Sequence, residues 1–196
     1  DSDGFTLTGN YGFVNTNTDN YVSWNWYCPT AFSNDASATS VGSADSSGKV
    51  NTTAGFSIVS YVGTSGPDTI AHGLSAAPEM IIVKPIDVTG AWWTWHKDLS
   101  NTSQGYLQLN TTAAEATNSS LWDNASPVSA TTINANTAYI NYATDNYIAY
   151  CFHSVTGYSK FGTYTGDATT NHSNSVTLGF RPAFVMFKTT QTGNEW

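Results

Sequence analysis

Apolar and polar side chains alternate along most of this chain, and the alternation predicts strands. Phe5 and Leu7 open one strand near the start. Val22, Trp24 and Trp26 then stand against Tyr21, Ser23 and Asn25, so residues 1–30 read as strand, turn, strand with the three large residues facing a core. Asn10, Asn15, Asn17 and Asn20 punctuate the turns, because Asn tolerates left-handed backbone. Phe56 and Ile58 against Val59 and Tyr61 mark a strand over 55–63, and a Gly66-Pro67-Asp68 turn follows. Met80-Ile81-Ile82-Val83 is an unbroken apolar run, short enough for a strand buried on both faces, with Pro78 ahead of it where no ladder donor is needed. The next strand, Ala91 to His96, puts Trp92, Thr94 and His96 on one face and Trp93 and Trp95 on the other. Aromatic residues on both faces require that at least one meet another layer or a partner. Tyr106 to Leu109 alternates again, and Ile133, Tyr139-Ile140 and Tyr147 to Phe152 complete the series. Only Thr111 to Ala116 has a helix-like composition, while 31–54 (AFSNDASATSVGSADSSGKVNTTA) reads as a small-polar linker with almost nothing to pack. Short strands at 8–15-residue spacing with no amphipathic helix predict an all-β fold, an antiparallel β-sandwich or jelly roll.

The pattern also repeats. Tyr61-Val62-Gly63 matches Tyr164-Thr165-Gly166 at an offset of 103, and Pro78, Lys84 and Trp92 match Pro182, Lys188 and Trp196 at 104. Asp19-Asn20-Tyr21-Val22-Ser23-Trp24 matches Asp145-Asn146-Tyr147-Ile148-Ala149-Tyr150 at 126. The chain therefore divides into the tail of one repeat unit (1–30), the linker (31–54), a complete unit (55–156) and the head of another (157–196). Whether the ends pack with the centre as one sandwich or belong to neighbouring units is left open by the order of residues.

Composition narrows the function. Charged residues make up 10% of the chain, against roughly 25% in ordinary soluble domains, while aromatics reach 14%. Ser, Thr, Asn and Gly must cover the surface, and the aromatics argue against disorder. The net charge is −8 with six scattered cations, so there is no basic stripe to neutralise phosphates and nucleic-acid binding is excluded. No apolar run approaches the ~20 residues of a membrane helix. Cys28 and Cys151 do not align under the repeat, and two free thiols are the simpler reading than a bridge.

Chemistry is hard to find. Glycoside hydrolysis needs two carboxyl groups about 5–9.5 Å apart, yet none of the three Glu (Glu79, Glu115, Glu195) has another acid within four positions. Ser159 lies in G-Y-S-K-F-G, which is no nucleophile elbow. The four His are far apart, and neither they nor the carboxylates have metal-ligand spacing, so no catalytic residue, metal or cofactor is assigned. What remains is a sugar-binding platform of aromatics, with Trp93, Trp95 and Trp122 as candidates and Asp98 and Asn101 as polar partners; the competing reading puts every Trp in the core.

GFSIVSYVG, HGLSAAPEMIIVK, LNTTAA, the Tyr147 to Phe152 run, GYSKFGTYTG and GFRPAFVMFK together resemble a repeated domain of tailed-phage virion proteins, common in marine phages and often found beside concanavalin A/laminin-G-like sandwiches. The resemblance runs through 55–196, and through 3–27 as the tail of a preceding unit. It implies a concanavalin A-like sandwich and a non-enzymatic structural role at the virion surface, as fibre, tail appendage or capsid decoration. The partners it implies are other virion proteins or copies of the chain itself. The alternatives are a lectin that attaches to host-surface glycan and, less well supported, a glycan depolymerase. A surface poor in Lys and Glu leaves strand edges unguarded, which predicts an oligomer or lattice partner to cover them.

Overall fold

A computed structural model describes residues 4–8, 14–122, 126–168 and 175–191. Ten strands and one helical turn follow in order: β1 (Thr30–Asn34), α1 (Ala36–Thr39), β2 (Ser46–Asn51), β3 (Phe56–Val62), β4 (Asp68–Ala71), β5 (Met80–Pro85), β6 (Trp93–His96), β7 (Gly105–Gln108), β8 (Ala116–Thr117), β9 (Thr132–Ala135) and β10 (Asn146–Phe152). Eight of them form an antiparallel sheet in the order β1-β2-β3-β10-β5-β6-β7-β8, and β4 pairs with β9 in a second, small sheet. The protein is an antiparallel β-sandwich.

The alternation in β10 shows how the sequence sets the layers. Tyr147, Ala149 and Cys151 point to the core and are fully buried, while Ile148, Tyr150 and Phe152 point to the other face. Its neighbours match it in register: Tyr147 lies opposite Tyr61, and Cys151 lies opposite Ile81. The rings of Tyr61 and Tyr147 stack at 5.2 Å. The facing layer consists of Ile70 and Ile133, directly paired, with Leu121, Trp122 and Ile140, all of them buried. Asn141, buried among them, is fully engaged. Its side chain accepts from Thr64 N–H (3.1 Å) and donates to the Gly66 carbonyl and to Asp68 (3.1 Å), and so ties the 63–68 turn to the layer.

Several expectations are corrected. The stretch 31–54 is not a linker, since it holds most of β1, the helical turn and all of β2. Small polar residues suit it because the chain runs close to other backbone. A Cβ at Gly48 would stand 2.0 Å from the Ile58 carbonyl oxygen, Ser46 donates to the Ala71 carbonyl (2.9 Å), and Asp35 caps α1 through Ala38 N–H (3.1 Å). Thr111 to Ala116 forms no helix. Tyr139 has a positive φ of 55°, so the Tyr139-Ile140 pair is a bend that plugs Ile140 into the core and not a strand. The predicted N-terminal strands are absent among the described residues, and Val22, Trp24 and Trp26 are exposed. The residues that pair with their counterparts in β10 belong to β3 and β5, and neither is offered to this segment.

The outer face of the large sheet is aromatic as well. Phe56 and Phe152 lie 4.7 Å apart, Trp26 rests on Phe56 (5.6 Å), and Phe161 rests on Phe152 (5.6 Å). Asn51 donates to the Tyr27 carbonyl (2.9 Å) and Glu115 N–H to the Thr190 carbonyl (2.9 Å), so both end segments lie against this face.

Candidate functional site

The five candidate binding residues do not form a platform. Trp93 is buried on the core side of β6, flanked by Tyr106 (5.1 Å, edge-on) and Tyr139 (4.8 Å). Trp95 is buried beside it and donates its indole N–H to the Thr102 carbonyl (2.9 Å). Trp122 is wholly enclosed in the facing layer, and its indole N–H has no partner. A sugar ring needs an open aromatic face, and these three rings are spent on the core, as large aromatics in sandwiches usually are.

The two polar candidates hold a turn. Asn101 accepts from Ser103 N–H (3.1 Å) and Gln104 N–H (3.0 Å) through its side chain, while its carbonyl accepts from Gly105 N–H (2.7 Å). Asp98 is exposed, and its carboxylate lies 3.9 Å from His96 Nδ1, which itself accepts from Asp98 N–H (3.2 Å). Burial pushes the His96 pKa below its ordinary value, with the Asp98 carboxylate opposing. The acids nearby are likewise structural acceptors. Glu79 meets Lys97 at 3.4 Å and takes a hydrogen bond from Ser154, and Glu115 accepts from both the N–H (2.7 Å) and the hydroxyl (2.6 Å) of Ser100. Among the described residues, no three His, Cys, Asp or Glu side chains gather in a way that could hold a metal ion.

The histidines divide by environment. His72 is buried and locks the turn that follows β4. Its Nδ1 accepts from Leu74 N–H (3.1 Å), and Nε2 faces the Ser129 carbonyl at 3.4 Å. Burial pushes its pKa down to about 4, so it is neutral, with the proton on Nε2. Cys28 and Cys151 are free, and burial pushes the Cys151 thiol up to about 12.

The exposed aromatic surface lies elsewhere. A cleft of about 850 Å³ opens between the N-terminal segment and the outer face of β2 and β3, walled by Trp26, Tyr27, Cys28, Phe32 and Lys49, with Ile58 on its floor. Tyr27 is 77% exposed. Trp92, at the far side of the same face, stacks on Tyr150 at 6.4 Å and is partly open. The cleft can take a flat apolar group with a hydrogen-bonding rim. Its wall holds no carboxylate; the polar side chains there are Tyr27, Cys28, Ser47, Lys49 and Ser60. Period two assigned Trp24 and Trp26 to a core and so hid this surface; the repeat, which makes them copies of β10 residues without β10's neighbours, was the available signal.

Fold and surface together define a β-sandwich protein whose open apolar surfaces lie on the outside of the large sheet. The chain belongs to the family described as Domain of unknown function (DUF7483), whose model matches residues 1–196. No curated protein and no solved structure matches it.

Proposed function

We propose that the chain is a non-catalytic structural and interaction module of a tailed-phage particle, exposed at the virion surface in a fibre, tail appendage or decoration layer, where it contacts copies of itself or other virion proteins. The observation that carries this reading is the set of apolar side chains left open on both end segments. Val22 is 80% exposed, and Val185 and Phe187 are about as open as Phe5. Large apolar patches on soluble proteins mark surfaces that something covers. The resemblance of the repeat motifs to phage virion domains supplies the biological setting. The low charge fits a surface made to pack, because edges and patches are not guarded by Lys and Glu. Light scattering on the purified chain over a range of concentrations tests the reading. A concentration-dependent oligomer is the expected result, and a monomer that persists at high concentration refutes it.

Glycan binding is the second reading, favoured by the cleft at Trp26 and Tyr27 rather than by the buried Trp93 and Trp95. A glycan array probed with the chain and with Trp26→Ala and Trp92→Ala variants separates the two readings. Binding that disappears with Trp26→Ala selects the lectin.

A further inference from the structure

The two end segments carry, between them, matched halves of one unit. Carried on at offset 126, the N-terminal segment copies β10, with residues 20–26 in place of Asn146–Phe152. At offsets of 103 and 104, residues 159–165 copy β3 and 184–189 copy β5. In the central unit β10 lies between β3 and β5 and pairs with both. Every ladder partner that the N-terminal segment calls for therefore sits in the C-terminal segment.

The N-terminal copy is already shaped for that slot. Before β10, Thr144 has a φ of 71°, Asp145 N–H reaches the Tyr142 carbonyl at 3.3 Å, and Tyr142 N–H donates to the Tyr147 hydroxyl at 2.9 Å. In the copy, Thr18 has a φ of 74°, Asp19 N–H reaches the Thr16 carbonyl at 3.3 Å, and Thr16 N–H donates to the Tyr21 hydroxyl at 3.0 Å. A positive φ at a β-branched residue is strained, so its recurrence with both hydrogen bonds marks the same turn held ready. The destination is missing. Tyr147 and Tyr61 are buried and stacked, while their copies Tyr21 and Tyr164 are 48% and 57% exposed. Ile81 and Val83 are wholly buried, and their copies Val185 and Phe187 are open.

Within one chain the two segments are neighbours yet do not pair. Phe184 meets Trp24 at 6.3 Å and Trp26 at 6.4 Å edge-on, and residues 20–27 and 184–189 belong to no strand. Their outward rings are engaged on the chain's own sheet, as Trp26 on Phe56 and Phe152 shows. We propose that the strand slot is filled by a second copy of this chain: residues 20–26 of one molecule insert antiparallel between 159–165 and 184–189 of the next, in the register Asn25 opposite Val185 and Trp26 opposite Phe184. The proposal rests on the reading of the chain as an assembling module and names its joint. Because the donor and acceptor surfaces differ, the contact is head-to-tail and builds a ring or a filament.

The test uses the full chain with Cys28→Ser, so that only the new thiols are accessible. One batch carries Asn25→Cys and the other Val185→Cys; the two are mixed and oxidised with oxidised glutathione. Facing residues in an antiparallel ladder have Cα atoms within disulfide reach. Mixed dimers should form in roughly tenfold excess over either homodimer, and a chain carrying both substitutions should give a ladder of multimers on a non-reducing gel. Pairing Asn25→Cys with Phe187→Cys, two residues out of register, should link far more slowly. An intrachain bridge in the doubly substituted chain, or no excess of mixed dimers, overturns the proposal. If light scattering still shows an oligomer in that case, only this joint is wrong; if it shows a monomer, the structural-module reading falls with it.

Discussion

His72 gives the chain a stability that depends on pH. The ring is buried and neutral, with Nδ1 accepting from Leu74 N–H and Nε2 toward the Ser129 carbonyl. A proton on Nδ1 would remove that acceptor and place a charge in the core, near His153. The native pKa lies at about 4, against 6.5 in the unfolded chain. Between those values the unfolded state binds the extra proton, so stability from this group is complete above pH 6.5 and is lost as pH falls toward 4. From pH 7 to pH 4.5 the loss amounts to about 2 kcal/mol, a large share of the 5–15 kcal/mol typical of a domain. The assay is urea unfolding followed by Trp fluorescence at both pH values, for the wild type and for His72→Asn. Asn retains an acceptor for the amide two residues on but cannot titrate. The variant should be less stable than wild type at pH 7 and should lose about 2 kcal/mol less on acidification. The difference between the two chains cancels the contribution of the carboxylates. Equal losses in both, or a histidine resonance at position 72 titrating near pH 6.5 in the native protein, would refute the reasoning.

Further outcomes follow from contacts already described. Gly48→Ala should destabilise the sheet by several kcal/mol, because its Cβ would stand 2.0 Å from the Ile58 carbonyl and backbone must move; a thermal melt reads it. Trp122→Phe should change stability by no more than about 1 kcal/mol, since the small cavity is offset by losing a buried N–H without a partner, whereas Trp122→Ala should cost about 3–5 kcal/mol. Trp95→Phe, which breaks a made bond to Thr102, should cost more than Trp122→Phe in the same denaturant titration. A thiol reagent at pH 8 should modify Cys28 alone in the native protein and both cysteines in denaturant, because Cys151 is buried and its thiol is pushed up to about 12.

The sandwich was legible where side chains had to choose a face. Val59, Tyr61, Ile81 and Val83 alternate or run as a buried sheet requires, and they form the core in the structure. The stretch 31–54 was not legible, because β1 and β2 are built from residues whose fitness lies in being small beside other backbone, as at Gly48, and hydropathy does not register closeness. The candidate site failed for a related reason. Trp93 and Trp95 were correctly placed on one face of a strand, but a period gives faces and not exposure, and that face met the second layer. The end segments failed in the opposite sense: Trp24 and Trp26 have a strand's pattern without a strand's neighbours.

Strand order also sets the timing of folding. Among the described strands β10 is made last, yet it occupies the fourth place in an eight-stranded sheet. Without it, β1-β2-β3 and β5-β6-β7-β8 are two separate ribbons, each made from strands that follow closely in the chain and each with a bare inner edge. Those ribbons can form early, but the seam closes only when Asn146–Phe152 has left the ribosome, on the order of ten seconds after β3 at ordinary elongation rates. During that interval the nascent chain presents two open edges that match a β10 strand, and the N-terminal segment, already made, carries a copy of it.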